Sequence, residues 1–270
     1  VRSACEPLLV AEGLSYSYLE RLPALEEVSL EVARGERQAL LGANGCGKST
    51  LLKILAGLIF PDRGRYLAFG EKVSAERLED EQFSASFRAR VGFVFQNSDA
   101  QVFSPTVRDE IAFGPLQLGL EPSEIETRIA DVIAMLELGD LTERAPYQLS
   151  AGQKKRVAIA SVLVMNPELL LLDEPTAGLD PRSRGWLLEL LGELRRAGKT
   201  IVLATHELDQ LEWTADRCLV LSEQHRVLGL GTPAEILADS ELLLAANLIH
   251  EHTHRHGSLL HAHQHDAGHH

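Results

Sequence analysis

The sequence predicts an α/β fold, and three observations carry that expectation. Gly42, Ala43, Asn44, Gly45, Cys46, Gly47, Lys48, Ser49 and Thr50 fit the spacing GxxxxGK[ST] and lie between a strand-like run and a helical one. The apolar residues 169–172 end in Asp173 and Glu174. From about residue 150 to 222, helical and strand-like segments alternate, as they do where helices pack on the faces of a parallel sheet.

Taken in order, residues 8–41 form short, partly alternating runs broken by Gly and Pro, which predict antiparallel strands joined by turns. Apolar spacing becomes helical from Thr50 to Leu58 and is stopped by Pro61, Asp62 and Gly64. Residues 71–90 are charged and weakly patterned, so they read as a connection, and 91–95 as a buried strand. A helical part begins near Thr106. It contains an amphipathic helix with Ser123 as N-cap, Glu126 completing a capping box, and an apolar face of Ile125, Ile129, Val132, Ile133 and Leu136 that Gly139 ends. The alternation then predicts helices over 150–165, 182–196 and 207–213, and strands over 168–172, 200–204 and 217–222. A last helical piece over 233–247 leads into a histidine-rich tail.

Composition bounds what the chain does. With 45% hydrophobic and 24% charged residues it belongs with globular proteins, and no apolar run nears the ~18 residues of a membrane span. A net charge of -13 disfavours nucleic-acid binding. Cys5, Cys46 and Cys218 are an odd number with no signal-peptide pattern ahead of them, which predicts a reducing compartment and no disulfide framework.

The glycine loop has a physical reading. It can fold backbone N–H groups around phosphates at a helix N-terminus, with Lys48 reaching the β and γ phosphates and Ser49 ligating Mg²⁺. Cys46, inside that loop, is either a thiol activated by Lys48 and the helix N-terminus or one too buried to react. Two carboxylates at the C-terminal end of a central strand sit where α/β proteins bind ligands. Asp173 then holds Mg²⁺, directly or through water, and Glu174 is the candidate general base. Leu149, Ser150, Ala151, Gly152 and Gln153 precede a helix that Ser150 and Gln153 cap reciprocally.

That last motif, just upstream of the carboxylate strand, resembles the LSGGQ signature of ATP-binding-cassette ATPases. Gln96 after VGFVF, residues 177–180 (AGLD) after Glu174, and His206 after TIVLAT follow in the family's order. The resemblance covers about residues 8–235. It implies a P-loop NTPase fold with an antiparallel β subdomain, a RecA-like parallel core and an α-helical subdomain inserted at about 97–165. The ATPase domain would then span 1–235, a helical extension 236–249 and a flexible His-rich tail 250–270. The family sandwiches ATP between two cassettes, so the resemblance implies ATP contacts from Tyr18, Gly42, Asn44, Gly45, Gly47, Lys48, Ser49, Thr50, Ser150, Gly152, Gln153 and Asp180. Glu174, His206 and Gln96 would be catalytic, and Ser49, Gln96 and Asp173 would hold Mg²⁺. Ala151 departs from the family's usual glycine. The implied partners are a second cassette, identical or paralogous, and integral membrane subunits, with the chain on the cytoplasmic face of the cell membrane.

The stretch FVFQNSDAQVFSPTVRDEIAFGPLQLGL looks like the ATPases of energy-coupling-factor importers, especially the cobalt and nickel branch. Phe103 and Pro105 are candidates for a groove that takes a helix of the membrane partner, or else ordinary core and turn residues. Nine histidines, His250, His252, His254, His256, His261, His263, His265, His269 and His270, crowd the C-terminal end. Imidazole suits Ni²⁺, Co²⁺, Zn²⁺ and Cu²⁺, so the tail is a candidate transition-metal binder; extended, 250 to 256 share a face, and helical, 250 pairs with 254. The expected function is ATP-driven import of nickel or cobalt. Import of another micronutrient, or a soluble ATPase acting on nucleic acid or ribosomes, are the alternatives.

Overall fold

A computed structural model describes residues 7–256 and 259–266, with side chains through Ile249. Cys5, His269 and His270 lie outside the described residues. The chain divides into two compact units, one of residues 1–73 with 202–270 and one of 74–201.

The first unit opens with β1 (Pro7–Tyr18) and β2 (Leu22–Ala33), an antiparallel pair whose register shifts between Ala11 and Leu14. β3 (Arg37–Leu41) follows and is buried at every residue. That pattern belongs to a strand covered on both faces. The antiparallel reading of 8–41 is therefore corrected at β3. Next come α1 (Lys48–Leu55), β4 (Arg63–Ala68) and β5 (Glu71–Lys72).

In the second unit, α2 (Ala75–Leu78) and α3 (Glu81–Arg90) occupy the stretch read as a connection. Ser74 and Asp80 cap them, accepting from Arg77 N–H and Phe83 N–H, so local capping made helices where periodicity was weak. β6 (Val91–Val94) leads into α4 (Val107–Gln117), capped by Thr106, and α5 (Pro122–Met135). The Ser123 capping box does not form. Pro122 takes the first turn, Glu121 is the N-cap, and no side chain caps that end. Glu137, at φ 54, turns the chain after α5, two residues before the predicted stop at Gly139. The apolar face holds, with Ile125, Ile129, Val132 and Leu136 buried and Ile133 only partly so. α6 (Ala151–Leu163), β7 (Leu169–Asp173) and α7 (Pro181–Arg196) match the alternation, and β6 runs parallel to β7. β8 (Thr200–Ala204) carries the chain back to the first unit.

There, α8 (Leu211–Thr214), β9 (Arg217–Leu221) and β10 (Val227–Gly231) precede α9 (Pro233–Ala238) and α10 (Ser240–Ala245). β9 lies parallel to β3 and antiparallel to β10, while a separate sheet has the order β2-β1-β4-β5. The tail backbone forms β11 (Ile249–His256) and β12 (Leu259–Asp266). No helix among the described residues is long and apolar enough to cross a membrane.

One polar interaction fixes β3 against β9. Arg37, 3% exposed, donates from Nη2 to Asp216 Oδ1 at 2.9 Å and from Nε to Oδ2 at 3.2 Å, and Nη1 donates to the Trp213 carbonyl. The two backbones reciprocate: Arg37 N–H donates to Asp216 Oδ2 and Asp216 N–H to the Arg37 carbonyl. Asp216→Ala would strand a buried guanidinium, which typically costs about 3 to 5 kcal/mol. Urea denaturation is expected to show that loss, and the double variant Arg37→Met with Asp216→Leu is expected to recover most of it.

Candidate active site

In the first unit the site is built from the turn between β3 and α1. Gly47 is the N-cap of α1 at φ 113, and no side chain caps that helix. A Cβ on Gly47 would lie 2.2 Å from the Ala24 carbonyl oxygen, so both conformation and space demand glycine. A Cβ on Gly42 would meet Cys46 Sγ and the Leu221 carbonyl oxygen, each at 2.6 Å. The helix N-terminus thus presents backbone donors and the positive end of its dipole, which suits an anion. Lys48, 4% exposed, donates from Nζ to the carbonyls of Gly42 (2.7 Å) and Ala43 (3.2 Å). Asn44 and Gly45 are exposed at the loop tip, Ser49 is half-buried and Thr50 buried.

Tyr18 reaches this turn. Its hydroxyl lies 3.2 Å from Thr50 Oγ1, and its ring packs edge-on against Tyr16 with centroids 5.0 Å apart. His206, exposed, follows Thr205, whose N–H donates to the Leu40 carbonyl of β3 at 3.0 Å. His225 was not singled out in the sequence; its Nδ1–H donates to the Cys46 carbonyl at 3.2 Å from the turn between β9 and β10. Only the fold brings these positions together.

The second unit holds the other group. Asp173 ends β7 and Glu174 follows, both buried at 5% and 4% exposure. Glu174 sits at φ 43, a left-handed conformation that a non-glycine residue adopts at a cost. Gln96 follows β6 and is exposed. Its backbone is held by Lys155 of α6, which donates to the carbonyls of Phe95 (3.1 Å) and Gln96 (2.9 Å). Gln101 adds a second tie, accepting from Phe95 N–H and donating to the Ala158 carbonyl, each at 3.0 Å. Lys155 and Gln101 were missed because their role is to hold a distant backbone, which leaves no local pattern.

Ser150 and Gln153 form the expected capping box at the start of α6. Ala151 is exposed in the first turn at negative φ, so its methyl group imposes no backbone strain. Gly152 answers a packing demand of this unit, because a Cβ there would lie 2.4 Å from Ser183 Oγ. Asp180, expected at the nucleotide, caps α7. It accepts from Arg182 N–H and Ser183 N–H at 3.0 Å and from the Ser183 hydroxyl at 2.7 Å, and that hydroxyl holds its carboxyl below the usual range.

Hydroxyl, carboxylate and amide oxygens from Ser49, Asp173 and Gln96 are hard donors of the kind Mg²⁺ takes. Among residues with described side chains, no cluster of three His, Cys, Asp or Glu could hold a metal by itself, and the histidines from 250 onward are described by backbone alone.

Cys46 is 1% exposed beneath Gly42, so the activated-thiol alternative gives way to the buried one. Peptide mapping after alkylation is expected to find Cys46 unmodified in the native protein and modified once it is unfolded. Burial pushes the Lys155 ammonium down to about 8, against the opposing pull of Asp173. A lysine whose folded pKa lies below its unfolded value binds fewer protons when folded, so its burial cost is full below pH 8 and relieved as pH rises from about 8 to 10.5. Wild type is therefore expected to gain on the order of 2 kcal/mol relative to Lys155→Met between pH 7 and 10, read from urea midpoints.

Comparison with known proteins places the chain in a family. A family profile described as ABC transporter matches residues 25–177. A putative ABC transporter ATP-binding protein of Methanosarcina acetivorans is 50% identical, over 91% of this chain and 90% of the relative. The nickel import ATP-binding protein NikO of Rhodobacter capsulatus is 47% identical, over 90% of this chain and 96% of its own length. Among solved structures, cbiO1 from Clostridium perfringens, described as part of the ABC transporter complex cbiONQ, superposes with a TM-score of 0.76 at 37% identity, covering 90% of this chain and 95% of that one. A profile match over more than half of the chain, with relatives at 47% to 50% identity over about nine-tenths of it, shows that the chain belongs to the ABC transporter family.

Proposed function

We propose that this chain is the ATP-hydrolysing subunit of a membrane importer for nickel or cobalt ions, working as a pair of cassettes. The observation that carries the hydrolytic part is Glu174. A carboxylate is buried at the end of a fully buried strand, in a backbone conformation that costs energy to hold, directly after Asp173. Strain of that kind persists where a side chain must be aimed. Glu174 accepts a proton from the attacking water. Lys48 and the N–H groups at the start of α1 bind the phosphates, with Lys48 exchanging loop carbonyls for phosphate oxygens. Tyr18 stacks on adenine, and Thr50, within reach of its hydroxyl, steadies it. His206 and Gln96 sense the γ phosphate and the water. When bound, Mg²⁺ neutralises charge on the phosphate oxygens; Ser49, Asp173 and Gln96 are the residues that would hold it.

The second cassette supplies its Ser150 and Gly152 to the γ phosphate, a reading supported by the exposure of Ser150 at the start of α6. Gln153 closes that cap, so its contribution is to hold the donors in place. Asp180 acts through α7, shaping the approach to Gly152. Phe103 and Pro105 are exposed, and Phe103 packs edge-on against the half-exposed Phe113 at 5.1 Å, beside the exposed Leu116. An aromatic patch of this kind on the helical unit suits an apolar helix of a membrane subunit. That partnership would place the chain on the cytoplasmic face of the membrane.

The cargo reading is supported by the nickel import relative and the concentration of histidines in the tail. Vesicles carrying the chain with its co-purified membrane subunits are expected to accumulate Ni²⁺ or Co²⁺ on ATP addition. Accumulation of an organic micronutrient, with neither ion moved, would replace the cargo and leave the ATPase reading intact. Glu174→Gln is expected to slow hydrolysis by about 10² to 10⁴ while retaining ATP binding, since only the proton acceptor is lost. Gel filtration with Mg-ATP should then show a trapped dimer; wild-type turnover would assign the base elsewhere.

A further inference from the structure

Phe103 and Pro105, ahead of α4, are exposed and Ser104 is half-buried, yet the backbone donors of this short loop are not left to water. Phe103 N–H and Ser104 N–H both donate to Glu110 Oε2, each at 2.8 Å. Pro105 has no N–H to place. One carboxylate, carried by α4, therefore accounts for every donor of residues 103–105. Glu110 itself is 3% exposed, and its N–H donates to the Thr106 carbonyl at 3.0 Å. Thr106 caps α4 by accepting from Asp109 N–H, and ahead of the loop Val102 is buried, with its N–H donating to the Ser98 carbonyl. The loop is thus held at both ends and in the middle.

A buried carboxylate is costly unless its oxygens are hydrogen-bonded, and the N–H groups inside a helix are already engaged in its own ladder. The loop is where Glu110 finds donors, and hydrogen bonds to a carboxylate are stronger than those between neutral groups. What the loop presents gives this tie a use. Phe103, 68% exposed, packs edge-on against Phe113 with ring centroids 5.1 Å apart, and Phe113 and Leu116, three residues apart on α4, are exposed as well. Glu110 precedes Phe113 by three residues, so the helix that carries two members of the apolar patch also carries the acceptor that fixes the third. An aromatic side chain on an untethered loop has to be ordered at the moment of docking, which costs conformational entropy; on a tethered loop that ordering is already complete.

We propose that Glu110 is a positioning residue for partner docking, its carboxylate holding residues 103–105 so that Phe103, Phe113 and Leu116 form one preformed surface for an apolar helix of a membrane subunit, which rests on the reading of that patch as the docking surface. Glu110 touches neither nucleotide nor partner in this role. It acts through the two N–H groups it holds, and its removal separates Phe103 from the patch without deleting any apolar side chain.

Two measurements on the full chain test this: amide exchange read residue by residue, and binding to vesicles that hold the membrane subunits co-purified with the chain and then stripped of it. In wild type the Phe103 and Ser104 amides are expected to exchange at least about tenfold more slowly than an unstructured chain. Exchange at the unstructured rate overturns the proposal whichever variants fold. Glu110→Ala is expected to free both amides while α4 from Ile111 onward stays protected, and to weaken vesicle binding by about tenfold. Glu110→Gln, whose amide oxygen still accepts from both donors, is expected to restore most of the protection and most of the binding. Phe103→Ala is expected to weaken binding with the Ser104 amide still protected. If Phe103→Ala weakens binding and Glu110→Ala does not, the patch docks but Glu110 does not position it. If Phe103→Ala also binds like wild type, the docking reading itself is wrong.

Discussion

The first unit depends on how closely the turn after β3 approaches the backbone around it. At Gly47 and Gly42 there is no room for a Cβ, because the carbonyls of Ala24 and Leu221 already stand where it would go. That approach fixes the start of α1, whose N-terminus has no side-chain cap. A turn this tight needs rigid neighbours. The Arg37–Asp216 fork pins the beginnings of β3 and β9, and His225, from the far end of β9, holds the Cys46 carbonyl. Both ends of the strand pair therefore brace the loop between them.

The second unit meets a related demand by a different device. Gln96 sits on an exposed turn with no regular structure to hold it. Lys155 reaches it from within a helix, satisfying two consecutive carbonyls with one ammonium at the cost of burying a charge. The nearby Asp173 lowers that cost, which couples the turn, the signature helix and the carboxylate strand through a single side chain. Gly152 shows the same economy. The residue expected for close approach to a phosphate is also the one whose Cβ the neighbouring Ser183 excludes.

β3 reads as another antiparallel strand because five residues show no alternation, and only its pairing with β9, some 180 positions away, reveals a parallel strand. α3 is amphipathic too weakly to be seen by spacing, yet Asp80 caps it and Phe83 and Phe87 are buried. The Ser123 box failed because Pro122 is well suited to the first helical position, which moves the cap back to Glu121.

What the sequence determined by itself is what local spacing encodes. The glycine turn, the carboxylates after a buried strand and the Ser150–Gln153 cap all depend on neighbours within a few residues, and all are present as spaced. Tertiary structure decided the rest: which backbone closes on Gly47, which lysine holds Gln96, and whether the Cys46 thiol is reachable. Each is a contact between residues far apart in the chain, and such pairings depend on the register of strands and the packing of helices, which spacing within one segment does not specify.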